Sequence, residues 1–251
     1  MLNRRHFIVT GAALFSQPIA AQTLSDPAVD TLTQGEIAAD LPEFADLPPP
    51  PPPPPPPVSP PEMWPIWDRR VIPANYDPKT SNPWGFHPRF LPTLVQANDG
   101  LRAGDIHVDA VARYLYHVRG DGTAMRYGVA IARGNLYEPG TYTIRRKAKW
   151  PTWRPTDAMI AREPETYEQH ANGMDGGPSN PLGSRAFYLF DGNRDTYLRI
   201  HGTPSPRSIG GRASSGCVRM VMAHIIGLYE EVNTGVSAIL YPTENDITAR
   251  S

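Results

Sequence analysis

Residues 48–57 of this 251-residue chain are ten consecutive prolines. Proline has no backbone N–H and a fixed φ, so the run cannot enter a helix or sheet interior and takes up extended polyproline II. It acts as a stiff spacer and splits the chain into a short leader and one domain-sized remainder. Docking to a proline-recognising module is the alternative use of such a run. We read residues 22–60 as a disordered Pro-rich linker. On that reading, removing it leaves stability and in-vitro turnover nearly unchanged.

The leader begins with Arg4-Arg5 and a short, mildly apolar stretch ending near Phe15, with no acidic residue before Gln22. This pattern suits a twin-arginine export signal over residues 1–21, cleaved beside Ala20-Ala21. The stretch is too short for a permanent membrane span, and no other segment approaches one. An uncleaved anchor or a chance Arg-Arg pair is the bland alternative. Export places the mature chain in the periplasm.

Residues 61–103 carry Trp64, Trp67, Tyr76, Trp84, Phe86 and Phe90 without periodicity. They read as an irregular extension packed on the main domain, with sugar stacking as the sharper alternative. From residue 104 to 242 the pattern is short strands and turns. Strands are expected at 106–108, 113–118, 127–132, 141–145, 186–190, 197–201 and 238–241. A hairpin turn is expected at Gly120-Asp121-Gly122, and a helix capped by Thr156 or Asp157 through Arg162. Residues 243–251 read as a tail. The fold class is mainly β, with one clear helix after residue 217.

The chemistry concentrates in residues 201–220, which hold the only cysteine, Cys217. Ser214, Ser215 and Gly216 precede it, Arg219 follows, and His201 opens the segment. A lone thiol, a histidine and a glycine-rich approach are the parts of a cysteine acyl-transfer site. Beyond Cys217, Val218, Met222, Ile225, Leu228, Tyr229 and Val232 recur at helical spacing. Cys217 is therefore expected just before a helix, whose free N–H groups lower the thiol pKa and, with Gly216, form an oxyanion hole. A lone cysteine is more often a small buried hydrophobe. The turn-like flank and the export signal argue against that here.

These residues resemble the L,D-transpeptidase catalytic domain of the YkuD type. His201-Gly202-Thr203 and Ser214-Ser215-Gly216-Cys217-Val218-Arg219-Met220 match its signature blocks. Residues 138–144, the Trp150–Pro155 loop and Asn180-Pro181-Leu182-Gly183-Ser184-Arg185-Ala186 match further blocks in order. The side chain between Ser214 and Gly216, often charged or His in relatives, is Ser215 here. The resemblance implies a β-sandwich-like fold with Cys217 and His201 at one cleft. It implies that Cys217 forms a thioester with a peptidoglycan stem tetrapeptide, releasing D-Ala. His201 is then the base, oriented by the Gly202 carbonyl, and an amine of another stem or of an outer-membrane protein is the acceptor. Ser214, Ser215, Gly216, Trp153 and Arg219 are its substrate-binding candidates. Arg219 serves either a carboxylate or a structural ion pair. The long 150–180 stretch is the lid of the family, or else a surface excursion.

His170 on that stretch has no spacing that supports a catalytic role. His224 reads as a surface residue, and His87, His107 and His117 as structural. No cofactor is expected, and no metal-ligand spacing is present. A net charge of −1 gives no basic patch for nucleic acid. An L,D-specific hydrolase of wall cross-links and a non-catalytic wall-binding module remain as other readings. The twin-arginine reading is checked by changing Arg4 and Arg5 to Lys: precursor should then stay in the cytoplasm, and normal export would exclude that route.

Overall fold

The computed structural model describes residues 54–248. The export signal and the linker up to residue 53 lie outside the described residues. Nine strands form one mixed sheet in the order β1-β4-β3-β2-β11-β6-β7-β8-β10. In chain order they are β1 (Thr93–Gln96), β2 (Ile106–Asp109), β3 (Tyr114–Val118), β4 (Thr123–Gly128), β6 (Gly140–Lys149), β7 (Arg185–Asp191), β8 (Arg194–Thr203), β10 (Val218–Val221) and β11 (Ser237–Leu240). Two short strands, β5 (Ile131–Ala132) and β9 (Arg212–Ser214), pair apart from it. A backbone bridge between Ala130 and Arg219 joins edge strand β10 to the chain leaving β4, so the sheet curls around one core. Ile106, Leu115, Ile144, Leu189, Ile200, Met220 and Leu228 are fully buried there.

Helix α4 (Met222–Glu231) packs on β7, β8 and β10. This explains why β7 and the second half of β8 are buried residue after residue rather than alternately. Lys147 ends α4 by donating to the carbonyls of Tyr229 and Val232 at 2.5 and 2.6 Å, a cation at the negative end of the helix.

The expected helix directly after Cys217 is corrected. Residues 218–221 form β10, parallel to β8, and α4 starts at Met222. The apolar run suits a buried strand as well as a helix, and only the open edge of β8 decides between them. The expected strand 127–132 is also split. The chain leaves the main sheet after Gly128, where Phe90 packs against its Cα too closely for any Cβ. Thr156 caps α2 (Asp157–Arg162) by accepting from the Met159 N–H. Beyond α2 lies α3 (Pro164–Tyr167), and the residues expected as a tail contain α5 (Glu244–Thr248). Glu244 there pairs with Arg113 at 3.0 Å and Arg212 at 3.5 Å.

The 61–103 extension is more regular than its sequence suggests, holding α1 (Trp64–Val71) and β1. The linker boundary also shifts. Val58 N–H donates to Asp175 at 2.8 Å and Ser59 Oγ donates to the Trp150 carbonyl at 2.5 Å. Removing residues 22–60 therefore strips docked residues as well as spacer.

His224 is 3% exposed, not a surface residue. Tyr76, Trp84, Phe86 and Tyr127 enclose its ring with centroids 5.5–6.3 Å away. The 72–91 segment covers this face of α4, which helical spacing alone cannot reveal. Burial lowers the His224 pKa to about 3, and neither ring nitrogen has a hydrogen-bond partner among the described residues. With the folded pKa below that of the unfolded chain, this histidine's stability contribution is complete above about pH 6.5 and is lost as pH falls toward 3. His224→Phe should add about 1–3 kcal/mol by removing unpartnered buried nitrogens, with the larger gain at pH 4.5. Urea unfolding at pH 7.5 and 4.5 checks this, and an equal or negative change at both would refute it.

Candidate active site

Strand β8 and the turn after β9 build the site. Pairing of β10 with β8 sets Val218 against Ile200 and Arg219 against His201. Cys217 thus lies at the strand entrance, beside the backbone of residues 197–199. His201 and Cys217 line one cavity of about 750 Å³, a volume typical of small-ligand sites. Trp153, Ser214, Ser215, Gly216 and Arg219 line it too.

His201 is 3% exposed, and its Nδ1 stands 2.6 Å from the Gly202 carbonyl. A carbonyl only accepts, so Nδ1 carries the proton and Nε2 keeps its lone pair in the neutral ring. The Gly202 carbonyl is fixed by close packing. Gly183, at φ +61°, approaches so near that a Cβ there would stand 2.8 Å from the Gly202 carbonyl carbon. Ser184 Oγ, on the same loop, donates to the Met222 carbonyl at 3.1 Å. Burial lowers the His201 pKa to about 4; hydrogen bonds to backbone at Gly202 and Leu182 raise it, and the Arg219 and Arg199 charges lower it further.

Cys217 is half-buried, and its Sγ lies 3.8 Å from the Tyr197 carbonyl. Burial raises the thiol pKa; a backbone hydrogen bond at Arg199 and the charges of Arg199 and Arg219 oppose that. Both shifts favour the neutral forms, thiol and imidazole, in the resting cavity. Gly216 precedes the thiol at φ +146°, a conformation that favours glycine. Ser214 spends its hydroxyl on the Cys217 carbonyl, closing the turn. Ser215 Oγ is 2.8 Å from Tyr167 Oη and so ties the nucleophile turn to the 150–180 stretch.

That stretch forms one wall of the cavity through Trp153, Met159, Arg162 and Tyr167. Trp153 packs edge-on to His170 at 5.7 Å and tilted to Tyr167 at 6.3 Å. Glu163 bridges back to the exposed Arg133, directly after β5. His170 does not line the cavity, whereas Arg219 does. Arg219 has no carboxylate partner among the described residues, and burial lowers its pKa. Its backbone is pinned to Ala130 by reciprocal hydrogen bonds of 2.8 and 3.0 Å.

Sequence reasoning missed Tyr197 and Arg199. Tyr197 sits at φ +61° in a bulge of β8, its N–H held by Asp195 at 2.8 Å and its ring 68% exposed at the cavity. Arg199 pairs both nitrogens with Asp195 at 2.7 and 2.9 Å. The period of two that puts Arg199 on the same side as His201 is the available signal. Among the described residues no group of three or more metal-ligating side chains converges, and no helix is long and apolar enough to cross a membrane.

The family model described as the L,D-transpeptidase catalytic domain, YkuD, matches residues 103–240, more than half of the chain. The chain is similar to a probable L,D-transpeptidase, YbiS, of Escherichia coli K12. The two are 30% identical over 167 residues, covering 66% of this chain and 53% of that protein. It is similar to a putative L,D-transpeptidase of Fuscovulum blasticum at 34% identity, covering 53% of this chain and 63% of the other. The chain thus spans about half to three fifths of these curated relatives' length. A solved structure from Brucella melitensis, described as a probable carnitine operon oxidoreductase, is 48% identical, covers 61% of this chain and 94% of its own, and has a TM-score of 0.43.

The neutral resting pair has a measurable signature. Alkylation of Cys217 by iodoacetamide should be slow at pH 7 and rise with a midpoint above about 8.5, the ordinary thiol value. A midpoint below 8 would reveal a resting thiolate and contradict the electrostatics described above.

Proposed function

The chain belongs to the L,D-transpeptidase catalytic domain family, and we propose that it is a peptidoglycan L,D-transpeptidase working through a Cys217 thioester. One observation carries this reading. The single thiol and a buried histidine with Nδ1 fixed on Gly202 line the same cavity.

On this reading a stem tetrapeptide enters between the Trp153–Tyr167 wall and β8. Its third-residue carbonyl lies at Cys217 and a stem carboxylate on Arg219, a planar cation suited to bidentate contact. Cys217 Sγ attacks the carbonyl carbon as the thiol proton passes to His201 Nε2. N–H groups of the 214–217 turn receive the oxyanion, in place of the helix end expected from sequence. The C–N bond breaks, the imidazolium returns its proton to the leaving amine, and D-Ala departs. An acceptor amine then loses its proton to His201, attacks the thioester and regenerates the thiol. Another stem, giving a 3-3 cross-link, or an envelope protein supplies that amine. The site of action is the periplasm, reached through the twin-arginine signal.

Incubation with disaccharide-tetrapeptide, read by mass, should show D-Ala release, an acyl-enzyme on Cys217 and cross-linked dimer. Hydrolysed tripeptide alone would make the protein a hydrolase, and no reaction would leave it a binding module. Cys217→Ala should abolish the acyl-enzyme. His201→Ala should slow acylation about 10²–10⁴-fold, the usual worth of a positioned base; a change within a few-fold would move the base elsewhere.

A further inference from the structure

Arg185 closes the Asn180–Arg185 run and is 2% exposed, on the strand that pairs with the His201 strand. Its only ion-pair partner among the described residues is Asp68, in α1. The pair is bidentate, Nη1 to Oδ1 at 2.9 Å and Nη2 to Oδ2 at 2.8 Å. Asp68 Oδ1 also accepts from Trp150 Nε1 at 3.0 Å. Asp68 lies outside the stretch that the family model matches, residues 103–240. The matched stretch therefore takes the counter-charge for its buried Arg185 from the extension before it.

The contacts lead to the histidine in few steps. The Arg185 guanidinium and the Trp150 N–H both donate to the Ser184 carbonyl, each at 2.8 Å. Ser184 and Gly183 pack on Gly202, whose carbonyl holds His201 Nδ1. Trp150 is fully buried at φ +43°, a backbone conformation that its surroundings must impose. Those surroundings are Asp68 on its ring and Ser59 on its carbonyl, and Ser59 is itself braced by Trp64 Nε1 at 3.0 Å. Removing one partner of a buried pair leaves an uncompensated charge, and the loop carrying it must rearrange.

We propose that Asp68 is a positioning residue for the Cys217–His201 pair, acting through Arg185, Trp150 and the 183–184 backbone that packs on Gly202. The extension over residues 58–71 is then a working part of the site, not a spacer. This goes beyond the transpeptidase reading and does not depend on which substrate Cys217 attacks.

The test compares Asp68→Ala, Asp68→Asn and Asp68→Glu in the full chain, each checked for cooperative melting well above the assay temperature. Nitrogen-15 NMR of the His201 ring gives the substrate-independent readout. In the unaltered protein it should report the Nδ1–H tautomer, neutral down to about pH 4. In Asp68→Ala and Asp68→Asn the tautomers should mix and titration should move toward the ordinary histidine value, about 6.5. Asp68→Glu should restore most of the original signal. Acylation by tetrapeptide should fall about 10- to 100-fold in kcat with KM little changed, the scale of an ångström-level misplacement. A folded Asp68→Ala protein with unchanged His201 tautomer and titration overturns the proposal. So does failure of both Ala and Asn variants to fold, which makes Asp68 a folding element only. If the unaltered protein shows the NMR signature but no tetrapeptide acylation, the transpeptidase reading fails and this proposal is still decided by the NMR.

Discussion

Residues 218–221 run beside residues 200–203 in parallel register, and the site depends on that pairing. It converts a separation of sixteen residues between His201 and Cys217 into one shared cavity. It also sets Arg219 at the level of the histidine, with its backbone tied to Ala130 on the other side. β10 is four residues long, so it has little ladder of its own. Burial of Val218 and Met220 in the main core, and of Val221 in the cluster with Phe86, Phe90 and Ile209, holds it in place.

The electrostatics follow from the same burial. A buried histidine and a half-buried thiol both prefer their neutral forms. Arg199 and Arg219 act on both, favouring the thiolate and disfavouring the imidazolium. Asp195 already answers Arg199, whereas Arg219 has no such partner among the described residues. On the proposed reading, a substrate carboxylate seated on Arg219 would weaken both effects together, easing the imidazolium while withdrawing support from the thiolate.

Much of this was legible in the sequence, because the signature residues are local. His201-Gly202 and Ser214–Arg219 announce their chemistry by type and spacing, and short apolar and aromatic runs between turn residues mark most of the strands. Val218–Val221 was misread because a short apolar run fits either period. His224 was misread because the layer that covers α4 comes from residues 72–91, more than a hundred positions earlier. Asp68 gave no signal at all. A single aspartate between Trp67 and Arg69 looks like any solvated helix residue, and only the fold brings it to Arg185. Sequence reading fails here where a contact is long-range and unrepeated.

The solitary cysteine has a consequence in redox chemistry. A cysteine sulfenic acid is ordinarily rescued by condensing with a neighbouring thiol. This chain has no second sulfhydryl to offer, so an oxidised Cys217 can be recovered only by a reductant from another molecule. Oxidants, like electrophiles, attack the thiolate. The partial burial that raises the Cys217 pKa therefore also slows its oxidation.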